Sequence, residues 1–484
     1  MQLVLIGLAL AVFLHDSPPF DALPLRLPWF AVLLVVVLPK LAVGGLYWAT
    51  CVAAKRRLDT PDAARRVRRL NTFTALLPVA ALFLFGADLA TGALRDVRGE
   101  AGTSGFGPRD WVLIDELLVM LPTLGLVAWG WWAYYPIDRR LREVSLLRRA
   151  DEGLPLYPVW SRGQYVATQA RNQFALILGP LLFIMAWSES MVMLSAAEWI
   201  SATQQLWLTP VGAGVAFVFA PLLIRRLWDT VPLPPGPVRE KMVGMCERHG
   251  VAVRDLLLWR TFGGMINAAV MGLFGRVRFI LLSDGLLDQV HEHEVEAVMA
   301  HELAHVRLKH LWWLLLAAGA GLTAVSLVGE AGWRLVPEEH TVPTWLVATG
   351  YGVGLALWAV LFGWVSRRIE RQADTFAARH MAAVYAEHQT SDQRAAPAAE
   401  TFDERAVGTM VGALQRVADL NHITTTRRSW RHGSIAWRQR YLRSLIGQPL
   451  AHTPVDRQVY WIKVACLVVL IPVVLWETLP LVFG

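Results

Sequence analysis

The stretch HEVEAVMAHELAHVRLKHLWWLLLAAGAGLTAVSLVGEAGW, residues 293–333, decides the fold class. Its first half, Glu294 to His310, keeps helical spacing with no Gly or Pro. Its second half, from Leu311, is long and apolar enough to cross a hydrocarbon layer of ~30 Å as a helix. A polar helix is thus expected to run directly into a membrane span. Within the polar half stands HELAH, residues 301–305. A repeat of ~3.6 residues per turn puts His301 and His305 on one face, where they can share a zinc ion, and turns Glu302 aside toward a bound water. Catalytic zinc takes three protein ligands and keeps one position open, so a third ligand is needed.

Two residues compete for that place. His310 follows His301 by nine positions, which at ~100° per residue is about 180° away from the zinc-facing side. It should face the wrong way and reads as a polar residue at the membrane boundary. The spacing HExxHxxGxxH also fails, with Leu308 in place of its glycine and Leu311 in place of its last histidine. Glu370 is the better ligand. In SRRIERQADTFA, residues 366–377, Glu370 and Asp374 share one face of a second helix. One carboxylate can then bind the zinc while the other orients a ligating histidine.

Outward from these motifs the chain is apolar. Of 484 residues 55% are hydrophobic and only 18% charged, with a mean hydropathy of +0.40. Soluble domains carry about 25% charged residues, so an ordinary water-soluble enzyme is excluded. Spans are expected at 28–54, 71–94, 111–136, 173–195, 206–224, 311–333, 344–366 and 459–482. A ninth segment, Gln2 to about Phe20, lacks the features of a cleaved leader and reads as a signal anchor. The loop at 55–70 and the segment 138–171 are rich in Arg, whereas 196–206 and 335–344 hold no Lys or Arg and 95–110 is far less basic than its neighbours. Positive loops favour the cytoplasm, which places the polar regions 227–310 and 367–458 there. The net charge of +7 is explained by this bias rather than by nucleic acid. Trp29, Trp111, Trp131, Trp132, Trp312, Trp313 and Trp461 lie at the ends of apolar runs and read as an interfacial belt.

Inside the polar regions, 265–271 and 277–283 read as short strands, the second bounded by the turn signal Asp284-Gly285. Residues 385–400 read as a mobile insert. Cys51, Cys246 and Cys466 are too few and too scattered for a disulfide framework or a thiolate site. His291 and His293 belong to a solvated first turn. Asp115, Glu116, Glu189 and Glu198 lie in or beside spans, where a carboxylate is costly unless it faces a cavity or partner, and could line a watery chamber.

With HELAH and ERQAD in place, the chain resembles the membrane zinc metallopeptidases that include the protease HtpX and the type I CAAX prenyl endopeptidases. The resemblance covers 227–310 and 366–445 and rests on INAAVMG at 266–272, HEVEAVMAHELAHVRLKH at 293–310, SRRIERQADTFA at 366–377 and HGSIAWR at 432–438. The number of spans is closer to the prenyl endopeptidase layout. The resemblance implies a glutamate-type zincin holding one zinc per chain on His301, His305 and Glu370, with Glu302 as catalytic base. It also implies an edge strand through Asn267 and Ala268 that pairs with extended substrate. By the same resemblance His432 stabilises the tetrahedral intermediate and Arg438 is a structural neighbour of the site. Gly433 and Trp437 depart from the family, which usually has proline after the histidine and an acid before the arginine.

The expected fold is mainly α: a polytopic membrane bundle of eight or nine spans with a small α+β zincin-like domain split by a transmembrane hairpin. Its parts are an N-terminal transmembrane region (1–226), a first peptidase segment (227–310), the hairpin (311–366), a second peptidase segment (367–458) and a last span (459–484). His305 precedes Leu311 by six residues, about 9 Å at ~1.5 Å per residue, so the zinc should sit close to the bilayer surface. Membrane-associated proteins or lipidated peptides are then the expected substrates, the lipid bilayer is a partner, and no nucleic acid is expected. A bacterial inner membrane suits the charge bias. A transporter or receptor could share the hydropathy but requires neither HELAH nor ERQAD. A sensor-type metalloprotease uses HExxH as well, and a zinc-binding scaffold without hydrolysis has no need of Glu302.

Overall fold

A computed structural model describes residues 28–58, 63–90, 113–151, 153, 156, 158–262, 265–334, 344–392 and 400–483. The expected anchor at Gln2–Phe20 and the loop at 95–110 lie outside the described residues, as does all but the last residue of 335–344. Among the described residues, eight helices are long and apolar enough to cross a membrane, one for each expected span. The chain divides into two units, Met1–Trp228 and Asp229–Gly484.

The first unit contains α1 (Trp29–Lys55), α2 (Ala63–Ala90), α3 (Ile114–Asp151) and α4 (Arg162–Ala170). A π-helical turn, Arg171–Ala175, joins α4 to α5 (Leu176–Ala196), and α6 (Ala202–Leu227) follows. Large apolar side chains such as Leu46, Phe83 and Leu206 face outward, as lipid-facing helices require. Small residues let helices approach: a Cβ on Gly130 would lie 2.3 Å from Leu77. Lys40 Nζ and Asp88 Oδ2 form a buried ion pair at 2.5 Å, the arrangement in which hydrocarbon tolerates such groups. Glu189 accepts the backbone N–H of Leu113. Trp131 corrects the expected aromatic belt: it is buried in this unit's core beside Phe174, whereas Trp132 is exposed.

The second unit begins with β1 (Thr230–Pro232), α7 (Pro237–Arg248), β2 (Asp255–Trp259), β3 (Ala268–Met271) and β4 (Phe279–Ser283). Next come α8 (Asp284–Gln289), α9 (Glu292–Arg307) and α10 (His310–Arg334). The last helices are α11 (Thr344–Asp392), α12 (Glu404–Leu420), α13 (Ile435–Arg443) and α14 (Pro454–Phe483). The strands form one sheet in the order β1-β2-β4-β3, with β2 and β4 parallel and both edges antiparallel. The two expected strands are β3 and β4, each shorter at its start. β1 and β2 were not expected. DLLLW of β2 pairs in parallel beside a fully buried β4, so it lacks the alternation that signals a half-exposed strand.

Two further differences concern helices. The HELAH helix does not run straight into the span: α9 ends at Arg307, Lys309 takes a left-handed φ of 56°, and α10 restarts at His310. Residues 385–392, expected to be part of a mobile insert, continue α11 to Asp392, while 393–399 lie outside the described residues. The unbroken α11 thus carries its apolar half and Glu370 on one rod. Ala297 and Ala300 of α9 and Ala377, Ala378 and Ala382 of α11 are fully buried in one core with Ile280 and Leu282 of β4. Such small side chains allow the short end of the usual 8–10 Å helix separation, which brings the two motifs within reach of each other.

Candidate metal centre

Three side chains converge where α9 passes α11. His301 Nε2 and His305 Nε2 are 3.3 Å apart. Glu370 Oε2 lies 3.7 Å from the first and Oε1 lies 3.9 Å from the second. One donor atom from each residue falls within 4.8 Å of the others. His301 and Glu370 are buried and His305 is half-buried. Two imidazoles and one carboxylate at this spacing are a donor set that zinc accepts. The residues present therefore fit the metal that the sequence implied.

Behind this cluster the partners are strongly ordered. Asp374 Oδ1 lies 3.0 Å from His301 Nδ1, within reach though off the line of a good hydrogen bond. Asp374 itself accepts from Arg438 Nε at 2.7 Å and from Nη2 at 2.5 Å. Arg438 Nη1 also lies 3.5 Å from Glu370 Oε2. The arginine therefore bridges the two carboxylates of ERQAD. His432 Nδ1 lies 3.0 Å from Glu370 Oε1, with its side chain 53% exposed. Glu302 accepts a backbone hydrogen bond from Val270 of β3, which places it between the cluster and the edge strand. Ala268 is buried and pairs with Leu282, leaving the other edge of β3 without a strand among the described residues. Asn267 is exposed, and its backbone N–H donates to Ser283 Oγ. His301, Glu302, His305, Glu370, Asp374, His432 and Arg438 thus gather at one place, and Asn267 and Ala268 lie just before Val270, whose N–H reaches Glu302.

Known proteins carry the same segment. Residues 262–404 match the sequence model of peptidase family M48. That segment is similar to peptidase family M48. A "Protease HtpX homolog" of Bordetella petrii is 26% identical over 233 residues, which is 43% of this chain and 78% of that protein. A "CAAX prenyl protease 1 homolog" of Arabidopsis thaliana is 30% identical over 187 residues, 34% of this chain and 42% of that one. The crystal structure of S. mikatae Ste24p superposes with a TM-score of 0.47 at 14% identity, covering 86% of this chain and all of that chain. The M48 match takes in Asn267, HELAH and ERQAD and stops before His432 and Arg438.

Burial shapes the electrostatics of this site. It pushes Glu302 up to about 7, with the Glu370 carboxylate adding to the rise, a value at which a carboxyl can both take up and give up a proton near neutral pH. Burial also drives His305 well below the ordinary histidine range, so its ring is neutral and its lone pair available. At His301 the burial effect is outweighed by Asp374, and the ring is raised. Arg438 is raised by Asp374 and Glu370 against its own burial.

Several residues escaped the sequence reading. His310 does not face away: the break at Lys309 returns it to the site, where its Nδ1 lies 3.1 Å from His305 Nδ1. It stands outside the three converging residues and at the start of a span, as expected, but it is fully buried. Gln372, inside ERQAD, contacts His310. Asn421, at the end of α12, holds both backbone groups of Ile266, the residue before Asn267. No spacing rule links position 421 to 266.

Proposed function

We propose that this chain is a membrane-embedded zinc metalloendopeptidase cleaving membrane-associated proteins or peptides at the cytoplasmic face. The observation that carries the reading is the convergence of His301, His305 and Glu370 beside Glu302 and a free strand edge. Zinc on the three residues would supply Lewis acidity and lower the pKa of a water molecule toward ~7. An extended substrate pairs with the open edge of β3 through backbone hydrogen bonds, and Asn267 and Ala268 fix its register. Glu302 takes a proton from the attacking water and later returns it to the leaving amine. His432, whose Nδ1 is engaged by Glu370, presents Nε2 to the developing oxyanion. Asp374 holds His301, and Arg438 keeps Asp374 ionised in a buried place.

The membrane setting supports the substrate class. His310 opens α10, and Glu370 lies on the same unbroken helix as the apolar half of α11, so the cluster sits at the ends of two spans. The basic loop at 55–70 and the segment 138–171 support a cytoplasmic site, and a bacterial inner membrane is the setting this bias suits. Maturation or quality control of membrane proteins is the role that follows from such a position.

The test uses detergent-purified chain loaded with zinc and an unfolded membrane-protein substrate, with fragments read by mass spectrometry. Wild type should cleave and chelator should stop it. Glu302→Gln should keep one zinc per chain and lose ~10²–10⁴-fold in rate, the usual worth of a positioned acid–base group. Cleavage by Glu302→Gln at the wild-type rate would sink the assignment of the base.

A further inference from the structure

The two ring nitrogens of His305 have different neighbours. Nε2 faces His301 and Glu370, while Nδ1 lies 3.1 Å from His310 Nδ1. The contacts continue from there: His310 Nε2 is 3.1 Å from Gln372 Oε1, and Gln372 Nε2 donates to Asp456 Oδ1 at 2.8 Å. Asp456 belongs to the first turn of α14, where its Oδ2 accepts from Arg379 Nη2 at 2.5 Å and Thr453 Oγ1 at 2.8 Å. His310 is fully buried and Gln372 nearly so, so these groups must satisfy one another.

One assignment of protons satisfies every contact. An ionised carboxylate only accepts, so Gln372 turns its amide NH2 to Asp456 and its oxygen to His310. That oxygen only accepts, so His310 carries its proton on Nε2 and keeps a lone pair on Nδ1. The lone pair requires a donor, which is Nδ1–H of His305. His305 Nε2 is then left unprotonated, facing the cluster, which is the form a metal needs.

We propose that Asp456, Gln372 and His310 form a one-way hydrogen-bonded relay that holds His305 in its Nδ1–H tautomer, so that the start of the C-terminal span positions a metal ligand. This rests on reading His301, His305 and Glu370 as a zinc site. The two histidines are oriented by different means. His301 has a carboxylate beside it, whereas His305 takes its orientation from a carboxylate reached through two neutral side chains. All three members of the relay are positioning residues, and none faces the space between the three donors.

The test measures zinc affinity by competition with a chromophoric chelator, and the visible spectrum of the Co2+-loaded full chain in detergent. Outer hydrogen-bond partners of metal-bound histidines are worth ~10–100-fold in affinity, and that loss is expected for His310→Phe and Gln372→Met, with altered Co2+ bands. His310→Asn, which returns an acceptor oxygen near the position of Nδ1, should recover most of the affinity. Arg379→Met removes the ion pair at the other oxygen of Asp456, where Thr453 still donates, and should leave affinity and spectrum unchanged. Wild-type affinity and an unaltered spectrum in His310→Phe would overturn the relay while leaving the zinc site standing. So would an Arg379→Met loss equal to that of Gln372→Met, since general loosening would then explain both. Should His310→Phe fail to fold, Gln372→Met against Arg379→Met decides the matter. Absence of stoichiometric zinc from the wild type would instead remove the site and the relay together.

Discussion

The HELAH helix α9 carries two buried polar networks, both shared with α11 and both made of histidine and carboxylate. At its C-terminal end His301 and His305 meet Glu370, and Asp374 stands behind. Further toward its N-terminus Glu296 Oε1 lies 3.2 Å from His380 Nε2, and Glu296 Oε2 is ion-paired with Lys241 at 2.8 Å. His380 Nδ1 then lies 2.9 Å from His249 Nε2. The second network is closed, with a cation against the carboxylate and each ring nitrogen between its neighbours facing a complementary atom. In the first, two imidazole nitrogens and a carboxylate oxygen converge within 4.8 Å of one another. Residue type is therefore a poor guide to a metal site. What distinguishes it is donors of like character brought together by a fold that has balanced them with Arg438 and Asp374 from behind.

That contrast can be broken by substitution. The largest effect is expected of Glu370→Ala, which removes a donor: zinc content should fall to background and cleavage with it, as read by metal analysis and fragment mass spectrometry. Asp374→Asn should be milder, weakening zinc by ~10–100-fold in chelator competition because it disturbs the partner of a ligand rather than the ligand. Glu296→Ala should leave zinc stoichiometry intact and lower unfolding free energy by about 1.5–3 kcal/mol, the range for hydrogen bonds to a charged group, in denaturant titration. Zinc loss from Glu296→Ala would show that the two networks are one.

The smallest effect is a pH dependence of stability. Burial raises Glu296, but the hydrogen bonds from His380 and Lys241 outweigh it and bring the carboxyl to about 2. Burial, helped by His380, Arg248 and Arg307, drives His249 down to about 4. Below the ordinary 6.5 the unfolded chain protonates a histidine that the folded chain keeps neutral until about 4. Below 4.5 it protonates a carboxylate that the folded chain keeps ionised until about 2. The unfolded state binds more protons in both windows, so stability should fall on acidification. Glu296→Ala should flatten the lower window alone in unfolding midpoints measured against pH.

Much of this architecture was legible locally. Hydropathy marks the eight spans because hydrocarbon imposes the same requirement on every crossing helix. HELAH and ERQAD announce a donor set because helical periodicity alone puts each pair on one face. The same periodicity misplaced His310, since an unbroken helix was assumed and Lys309 breaks it. β2 stayed hidden because a strand buried on both faces has no alternation, and α11 outran its expected end. Trp131 lies at the end of an apolar run and packs inside nonetheless.

The sequence by itself determined the eight spans found among the described residues, the motifs HELAH and ERQAD and the likeness to membrane zinc peptidases, because each depends on spacing along one segment. Only the tertiary structure decided which nitrogen of each histidine faces the cluster, that Arg438 joins Asp374 to Glu370, and that a carboxylate at position 456 reaches His305. Those facts depend on distances between segments 60 to 150 residues apart. Such distances are set by how small side chains let α9 and α11 approach and by where the chain turns, and neither is written in the spacing of any one motif.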